Sequence, residues 1–313
     1  MEQVVLGRTG LLVSRMGIGA GGPSQIGQKT GRTEDDSVDL LLRAFDAGVN
    51  LVDSSEAYST EEIIGRALQM RNRGRFIIST KKSTRHQEVT PATLTESLDA
   101  SLRRLGTDYI DIYNLHGVVP QDYRRLVEDV YPTLEALKRA GKIRFVGITE
   151  MFSEDLGHAM MQQALADDLW DVVMVGFNLL NQTARQVLQR TREANIGVQI
   201  MFAVRKALGD QERLRDFVAG LVKSGEIDPT EVNAQAPLDF VLANGEAVSI
   251  PDAAYRFCRD EAGVHVVLSG TGNTEHLASN LESFGRPPLS PEATLRLQNI
   301  FRAVVSTTGQ SLG

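Results

Sequence analysis

Four side chains of complementary acid–base character stand at or near the ends of short apolar runs. They are Asp53 and, five residues on, Tyr58 in VNLVDSSEAYS, Lys81 in FIISTKKS, and His116 in IDIYNLHG. Together they could move a proton to or from a carbonyl oxygen. A free phenol titrates near pH ~10, too high to shuttle a proton efficiently at neutral pH. A lysine ammonium nearby favours the phenolate, and a carboxylate behind it keeps the lysine charged and oriented. An imidazole can hydrogen-bond the carbonyl oxygen and stabilise negative charge developing there. Each residue alone also has a simpler role: Asp53 as a turn cap, Tyr58 as one of six packing tyrosines, His116 as one of five histidines satisfied at a strand end. Lys81 and Lys82 point to opposite faces of a strand, so at least one of them is expected in solvent. The combination, repeated at the same end of three successive strands, is what favours chemistry.

Bringing the four together requires strands that open on one face. Eight apolar, β-branched runs fall at residues 15–18, 49–53, 76–80, 110–115, 145–148, 172–177, 198–201 and 264–268. Each is too short for a packed helix, and most follow a Gly, Asn or Asp turn signal. Between them lie amphipathic stretches such as SVDLLLRAFDAG, TLTESLDASLRRLG, VYPTLEALKRAG and TARQVLQRTREANIG. Apolar residues there recur at i, i+3, i+4 and i+7, and several stretches end in a glycine suited to a helix C′ position. Eight such units, mostly roughly 25–35 residues apart, predict an α/β fold of the (β/α)8 TIM-barrel type rather than an open doubly wound sheet. All strands of such a barrel end on the face where active sites are built, which places Lys81 just past the third strand and His116 just past the fourth.

VVLGRTGLLV, ahead of the first strand, reads as an N-terminal β-hairpin about a Gly-Arg-Thr-Gly turn, able to plug one end of the barrel. The chain is expected to be one domain over 1–313. A charged insertion at 203–248, after the seventh strand, would lay loop and helices over the barrel mouth, and a C-terminal tail at 287–313 carries a helical pattern over 291–305.

GIGAGG at 17–22 satisfies G-x-G-x-x-G through Gly17, Gly19 and Gly22. A dinucleotide-binding turn of that kind needs a helix to start within the motif, so that its amides meet the pyrophosphate. Here the chain continues PSQIGQKTGRTEDD, with no helical periodicity before Asp35, and the motif reads as a strand ending in a Gly-rich loop.

Composition narrows the function. Of 313 residues, 42% are hydrophobic and 23% charged, which fits a folded globular chain rather than a disordered one. Thirty-three basic against 40 acidic residues give a net charge of −7, which argues against a nucleic-acid partner. A single cysteine, Cys258, excludes an intramolecular disulfide and a multi-thiolate metal site, and no zinc-like ligand cluster stands out, so no metal is expected. MEQVVLGRTGLLVSR has no apolar signal region, and no apolar run approaches the ~20 residues of a membrane helix. A cytoplasmic protein with no membrane partner is expected.

From end to end the chain resembles the aldo-keto reductase family. The matching stretches are LGRTGLLVSRMGIGA, AGVNLVDSSEAYSTEEIIGRAL, FIISTKKS, LDASLRRLGTDYIDIYNLH, KRAGKIRFVGIT and LSGTGNTEHLASNLESF, in order and at fitting spacing. The resemblance implies a barrel that binds a nicotinamide cofactor, NADP(H) with NAD(H) as the alternative, extended across its mouth. It implies a catalytic tetrad of Asp53, Tyr58, Lys81 and His116, and selects Lys81 over Lys82 because the family's lysine directly follows a threonine.

Cofactor-binding positions carry over as Thr149 and Glu150, Phe177, and Gly270, Gly272, Asn273, His276 and Asn280. Three depart from the family pattern. Glu150 stands where a neutral amide grips the nicotinamide carboxamide, Met174 where a glutamine does, and Phe177 where a tyrosine stacks on the nicotinamide. Residues 269–280 offer no Lys or Arg for an adenosine 2′-phosphate. Either Arg205, Lys206, Arg213 and Arg215 of the insertion supply that charge, or NAD is used.

The function expected is hydride transfer between nicotinamide C4 and the carbonyl of an aldehyde or ketone, with a small-molecule carbonyl or alcohol as partner. Tyr58 would be the general acid/base, assisted by Lys81, Asp53 and His116. Two alternatives remain: an NAD-dependent sugar or polyol dehydrogenase working oxidatively, and a slow-turnover cofactor-binding sensor or regulatory subunit. Phe202, Trp170 and Val118 are read as core packing before pocket lining. Arg124 and Arg205 are read as surface groups before readers of an acidic substrate.

Overall fold

Alternation of side chains along short β-branched runs makes each run a stave with one face inward and one outward. In the computed structural model, which describes residues 1–85 and 88–310, eight such staves close on themselves. They are β3 (Met16–Gly19), β4 (Leu51–Asp53), β5 (Ile77–Ser83), β6 (Ile110–Val118), β7 (Ile143–Glu150), β8 (Val172–Gly176), β9 (Gly197–Met201) and β10 (Val266–Ser269). All neighbours pair in parallel, and β10 pairs β3 to complete the ring. Residues 86–87 and the last three residues of the 287–313 tail lie outside the described residues.

Two strands run further than their apolar runs suggest. β5 continues to Ser83 and β6 to Val118, because parallel pairing persists through Lys81↔Asn114 and Ser83↔His116. Lys81 and His116 are therefore held within strands rather than just past them. A register shift between Leu115 and Val118 lets β6 reach the mouth alongside β7.

The inward face changes character along the barrel axis. At the N-terminal end Leu51, Ile77, Ile112, Val172 and Val266 form an apolar cluster with Leu6, Leu11 and Val13. Those last three belong to the hairpin of β1 (Gln3–Val5) and β2 (Leu12–Ser14), which are antiparallel and joined through a 3-10 turn at Gly7–Thr9. Burying Leu6 completely is worth about 1.5–3 kcal/mol. Gly7, at φ +48°, passes so close to the Gly197 backbone that no side chain would fit there. Two or four residues further along the same faces stand Asp53, Lys81, Asn114, His116 and Thr149, so the polar groups collect at the opposite end.

The 17–22 motif starts no α-helix; the first, α1 (Glu34–Asp46), begins after a 3-10 segment at Gln25–Thr30. Within 203–248 the chain forms a 3-10 turn at Lys206–Leu208, α2 (Gln211–Lys223) and a short helix at Asp239–Leu242. Leu214, Val218 and Leu221 of α2 join the large apolar core that surrounds the barrel. The insertion is tied to the tail: Arg302 pairs with Glu231, and Glu226 Oε2 accepts the Val305 and Ser306 amides at 2.8 and 3.0 Å. The tail helix covers Pro291–Ile300, shorter than the 291–305 pattern. No helix among the described residues is long and apolar enough to cross a membrane.

Candidate active site

Asp53, at the last position of β4, and Lys81, on the inward face of β5, meet inside the barrel. Lys81 Nζ donates to both Asp53 oxygens at 2.6 Å and to the Ser54 carbonyl at 2.6 Å. Ser79 Oγ adds a bond to Asp53 Oδ1 at 2.9 Å. Burial, the larger influence on each, pushes the carboxyl up and the ammonium down, while their mutual attraction works in the opposite sense. Three acceptors take the three ammonium hydrogens and hold the amine in one place.

Tyr58 enters from the 3-10 turn after β4, Glu56–Tyr58, whose cap Ser55 accepts the Ala57 amide. Lys81 Nζ lies 5.4 Å from the Tyr58 ring centroid. Tyr58 Oη is 3.2 Å from His116 Nε2, and the rings meet edge-to-face. Ser55 Oγ lies 3.1 Å from His116 Nδ1. When Ser55 donates to Nδ1, the imidazole carries its proton on Nε2, facing Tyr58.

Burial first, and Asp53 second, push the Tyr58 phenol up; the cation that pulls it down is Arg205. Asp53 already balances the charge of Lys81, so the lysine acts on Tyr58 as half of an ion pair. Tyr58 holds its proton at neutral pH.

A cavity of about 390 Å³ opens in front of these groups. Asp53, Tyr58, His116 and Thr149 contribute to its lining, as do Phe152, Met174, Met201 and Phe202. Gly19, Gly21, Gly22 and Gly270 line it too, and a Cβ at Gly21 would overlap the Tyr58 ring. Glycines thus leave a cradle open from β3 and β10 toward α3 (Thr274–Gly285). The family's nicotinamide dinucleotide would lie along this glycine-lined opening, where the lack of Cβ atoms allows close approach to the backbone.

The other expected binding residues divide. Thr149 Oγ1 accepts the Gly117 amide at 2.8 Å and keeps its own hydrogen to donate. Glu150 touches the cavity, but its oxygens are committed to His158 Nδ1 and the Gly176 amide, each at 2.8 Å, and burial pushes the carboxyl up. Phe177 is not in the wall: it is fully buried, stacked on Phe257 at 5.9 Å, because it follows β8 on the face turned away from the mouth. Gly270 lines the cavity, whereas Gly272 is packed against Gly27. Asn273 caps α3, accepting the Glu275 amide at 2.7 Å, and Asn280 Nδ2 donates to Ser269 Oγ at 2.9 Å; His276 is exposed.

Further expectations are corrected. Lys82 is not solvated; its outward side chain is buried beneath the surrounding shell and paired with Glu56 at 3.1 Å. Phe202, read first as core, lines the cavity, whereas Trp170 and Val118 are buried in the core. Arg124 is a surface group paired with Asp167, but Arg205 lines the cavity. Ser55, Phe152, Met201 and Gly21 were not singled out, although each lies at or just past a barrel strand's C-terminal end.

A parallel eight-stranded barrel with its polar groups gathered at the C-terminal mouth belongs to the TIM-barrel class, whose chemistry is done on that face. The model of the Aldo/keto reductase family matches residues 15–301. The chain belongs to that family and is an NAD(P)H-dependent oxidoreductase. It is 26% identical over 325 aligned positions to the NADH-specific methylglyoxal reductase of Escherichia coli (strain K12), covering 94% of this chain and 97% of that protein. It is 36% identical over 158 positions, 48% of either chain, to the L-galactose dehydrogenase of Arabidopsis thaliana. Among solved structures, aldo-keto reductase AKR11C1 from Bacillus halodurans in its holo form shares the fold, with a TM-score of 0.74 at 22% identity over 99% of this chain and 100% of that one.

Proposed function

We propose that this chain reduces the carbonyl of an aldehyde or ketone, with Tyr58 as the proton donor and the carbonyl oxygen seated between Tyr58 Oη and His116 Nε2. The observation that carries the reading is the 3.2 Å approach of those two atoms at the edge of an open cavity, with the Lys81–Asp53 pair behind. Bound NAD(P)H supplies the hydride, through its nicotinamide C4. Tyr58 gives its proton to the oxygen as negative charge develops there, and recovers one from solvent afterwards. In the tautomer where Ser55 donates to Nδ1, His116 carries its proton on Nε2 and donates a hydrogen bond to the same oxygen. Lys81 and Asp53 fix the ground beneath the phenol, and the reverse reaction uses the same groups in the opposite order.

For the cofactor, NADH is proposed to serve at least as well as NADPH. Residues 269–280 contain no Lys or Arg, and Arg213 of the insertion is paired with Asp210 at 3.2 Å. The relative from Escherichia coli is itself described as NADH-specific.

The test is Tyr58→Phe, assayed by NADH and NADPH consumption against small aldehydes. A loss of about 10²–10⁴-fold in kcat with cofactor binding retained is expected. Undiminished turnover in the variant would remove Tyr58 from the reaction.

A further inference from the structure

Arg205 is the odd charge of the cavity. Among the acidic side chains lining it, Asp53 is paired with Lys81, and the Glu150 oxygens are hydrogen-bonded to His158 and the Gly176 amide. Arg205 is drawn into the same wall, its guanidinium 3.7 Å above the centroid of the Phe202 ring. No carboxylate of the described residues pairs with it, and burial lowers its proton affinity.

The residue is well held. Phe202 meets Phe152 edge-to-face at 5.7 Å, and Phe152 stacks on His158 at 5.3 Å. The Arg205 carbonyl accepts the Leu208 amide at 2.7 Å, and Gly309 O accepts the Ala207 amide at 3.1 Å, pinning the start of the insertion to the tail. From there the side chain spans the mouth, Nη1 coming within 3.9 Å of where a Cβ on Gly22 would sit, on the loop after β3. Stacking occupies one face of the guanidinium and leaves the N–H donors around its edge for a planar or tetrahedral oxyanion.

We propose that Arg205 binds an oxyanion, a carboxylate or phosphate, carried by the carbonyl substrate, so that the enzyme favours acidic aldehydes or ketones over neutral ones. The proposal rests on the carbonyl-reducing role given above to Tyr58, which shares the cavity with Arg205. A partly desolvated cation without a counter-ion, in a chain of net charge −7, selects an anion where a neutral group would leave it unpaired. The cofactor's phosphates offer the same chemistry, and the experiment separates the two sources.

Wild type, Arg205→Gln and Arg205→Lys are compared on a matched pair, 4-carboxybenzaldehyde and benzaldehyde, alongside dissociation constants for NADH and NADPH. Binding of unreactive benzoate is measured by calorimetry, with benzamide as the neutral control. Wild type should prefer the carboxylated aldehyde. Arg205→Gln should lower the ratio of the two kcat/KM values, and the affinity for benzoate, about tenfold or more, with Arg205→Lys recovering part of each.

Equal ratios in wild type and Arg205→Gln would overturn the assignment. So would a tenfold loss of NADH and NADPH affinity with the ratio unchanged, which would give the guanidinium to the cofactor's phosphates. If wild type reduces neither aldehyde yet binds benzoate through Arg205, the anion site stands and the carbonyl-reducing role falls. Equal benzoate binding by wild type and Arg205→Gln in that case would remove the anion site as well.

Discussion

Lys81 Nζ is bonded to both carboxylate oxygens of Asp53 at 2.6 Å, in a place where neither side chain is more than 5% exposed. Deleting one member leaves the other charged and buried without compensation. Asp53→Ala is expected to cost about 3–5 kcal/mol of stability. The double variant Asp53→Ala/Lys81→Met should cost clearly less than the sum of the two single changes, since each partner is the reason the other is tolerated. Urea unfolding of the four proteins measures this, and strict additivity would show that the two charges do not depend on each other.

Ser55 is expected to govern the orientation of His116 and the nitrogen that bears its proton, through the 3.1 Å contact at Nδ1. Ser55→Ala removes one oriented hydrogen bond, worth about 1 kcal/mol, so kcat for carbonyl reduction should fall about five- to tenfold. The midpoint of thermal unfolding should hardly move, and Ser55→Thr, which keeps the hydroxyl, should recover most of the rate. A loss shared equally by the threonine variant would point to packing rather than to the hydrogen bond.

Gly21 is a glycine for the sake of its neighbour. A methyl group there would overlap the Tyr58 ring, so Gly21→Ala should fold and turn the phenol away from His116. A displacement on the order of 1 Å at the proton donor can cost about 10²-fold in rate. Steady-state kinetics with near-ultraviolet circular dichroism would detect both the loss and the altered tyrosine environment. Wild-type kcat in this variant would mean that the ring position is not critical.

Alkaline pH should weaken the fold through the buried tyrosines. Burial pushes Tyr255 up to about 12, and Tyr58 and Tyr113 up as well. In the unfolded chain these phenols ionise near pH ~10, whereas the folded chain keeps its protons. Above that point the unfolded state binds fewer protons than the folded one, so stability falls as pH rises. The contribution of Tyr255 is complete below pH ~10 and is lost on the way to about 12. Urea midpoints at a series of alkaline pH values test the slope, and spectrophotometric titration of the six tyrosines should show part of the set ionising only as the protein unfolds.

Much of the barrel could be read from the chain because strand alternation and helix periodicity are local properties. The eight apolar runs all became barrel strands, and the plug hairpin and the absence of a helix start in the 17–22 glycine motif followed from turn and helix-start chemistry. The tetrad residues could be named because strands of a parallel barrel end on one face. Sequence did not show how far β5 and β6 continue, since pairing across Ser83↔His116 depends on the neighbouring strand and leaves no apolar signature. Phe177 was misplaced for a related reason: being aromatic and next to a strand end does not say which side of the stave it takes.

By itself, then, the sequence determined the repeat of strands and helices, the family, and the residue types that crowd the barrel mouth, because each of these depends on patterns within a few turns of chain. The tertiary structure decided which charges are spent on one another. Asp53 is paired with Lys81, and Glu150 is held by hydrogen bonds from His158 and the Gly176 amide, while Arg205 reaches into the cavity without a carboxylate among the described residues. Charge pairing is a relation between side chains far apart in sequence, and only closure of the barrel brings them within reach of each other.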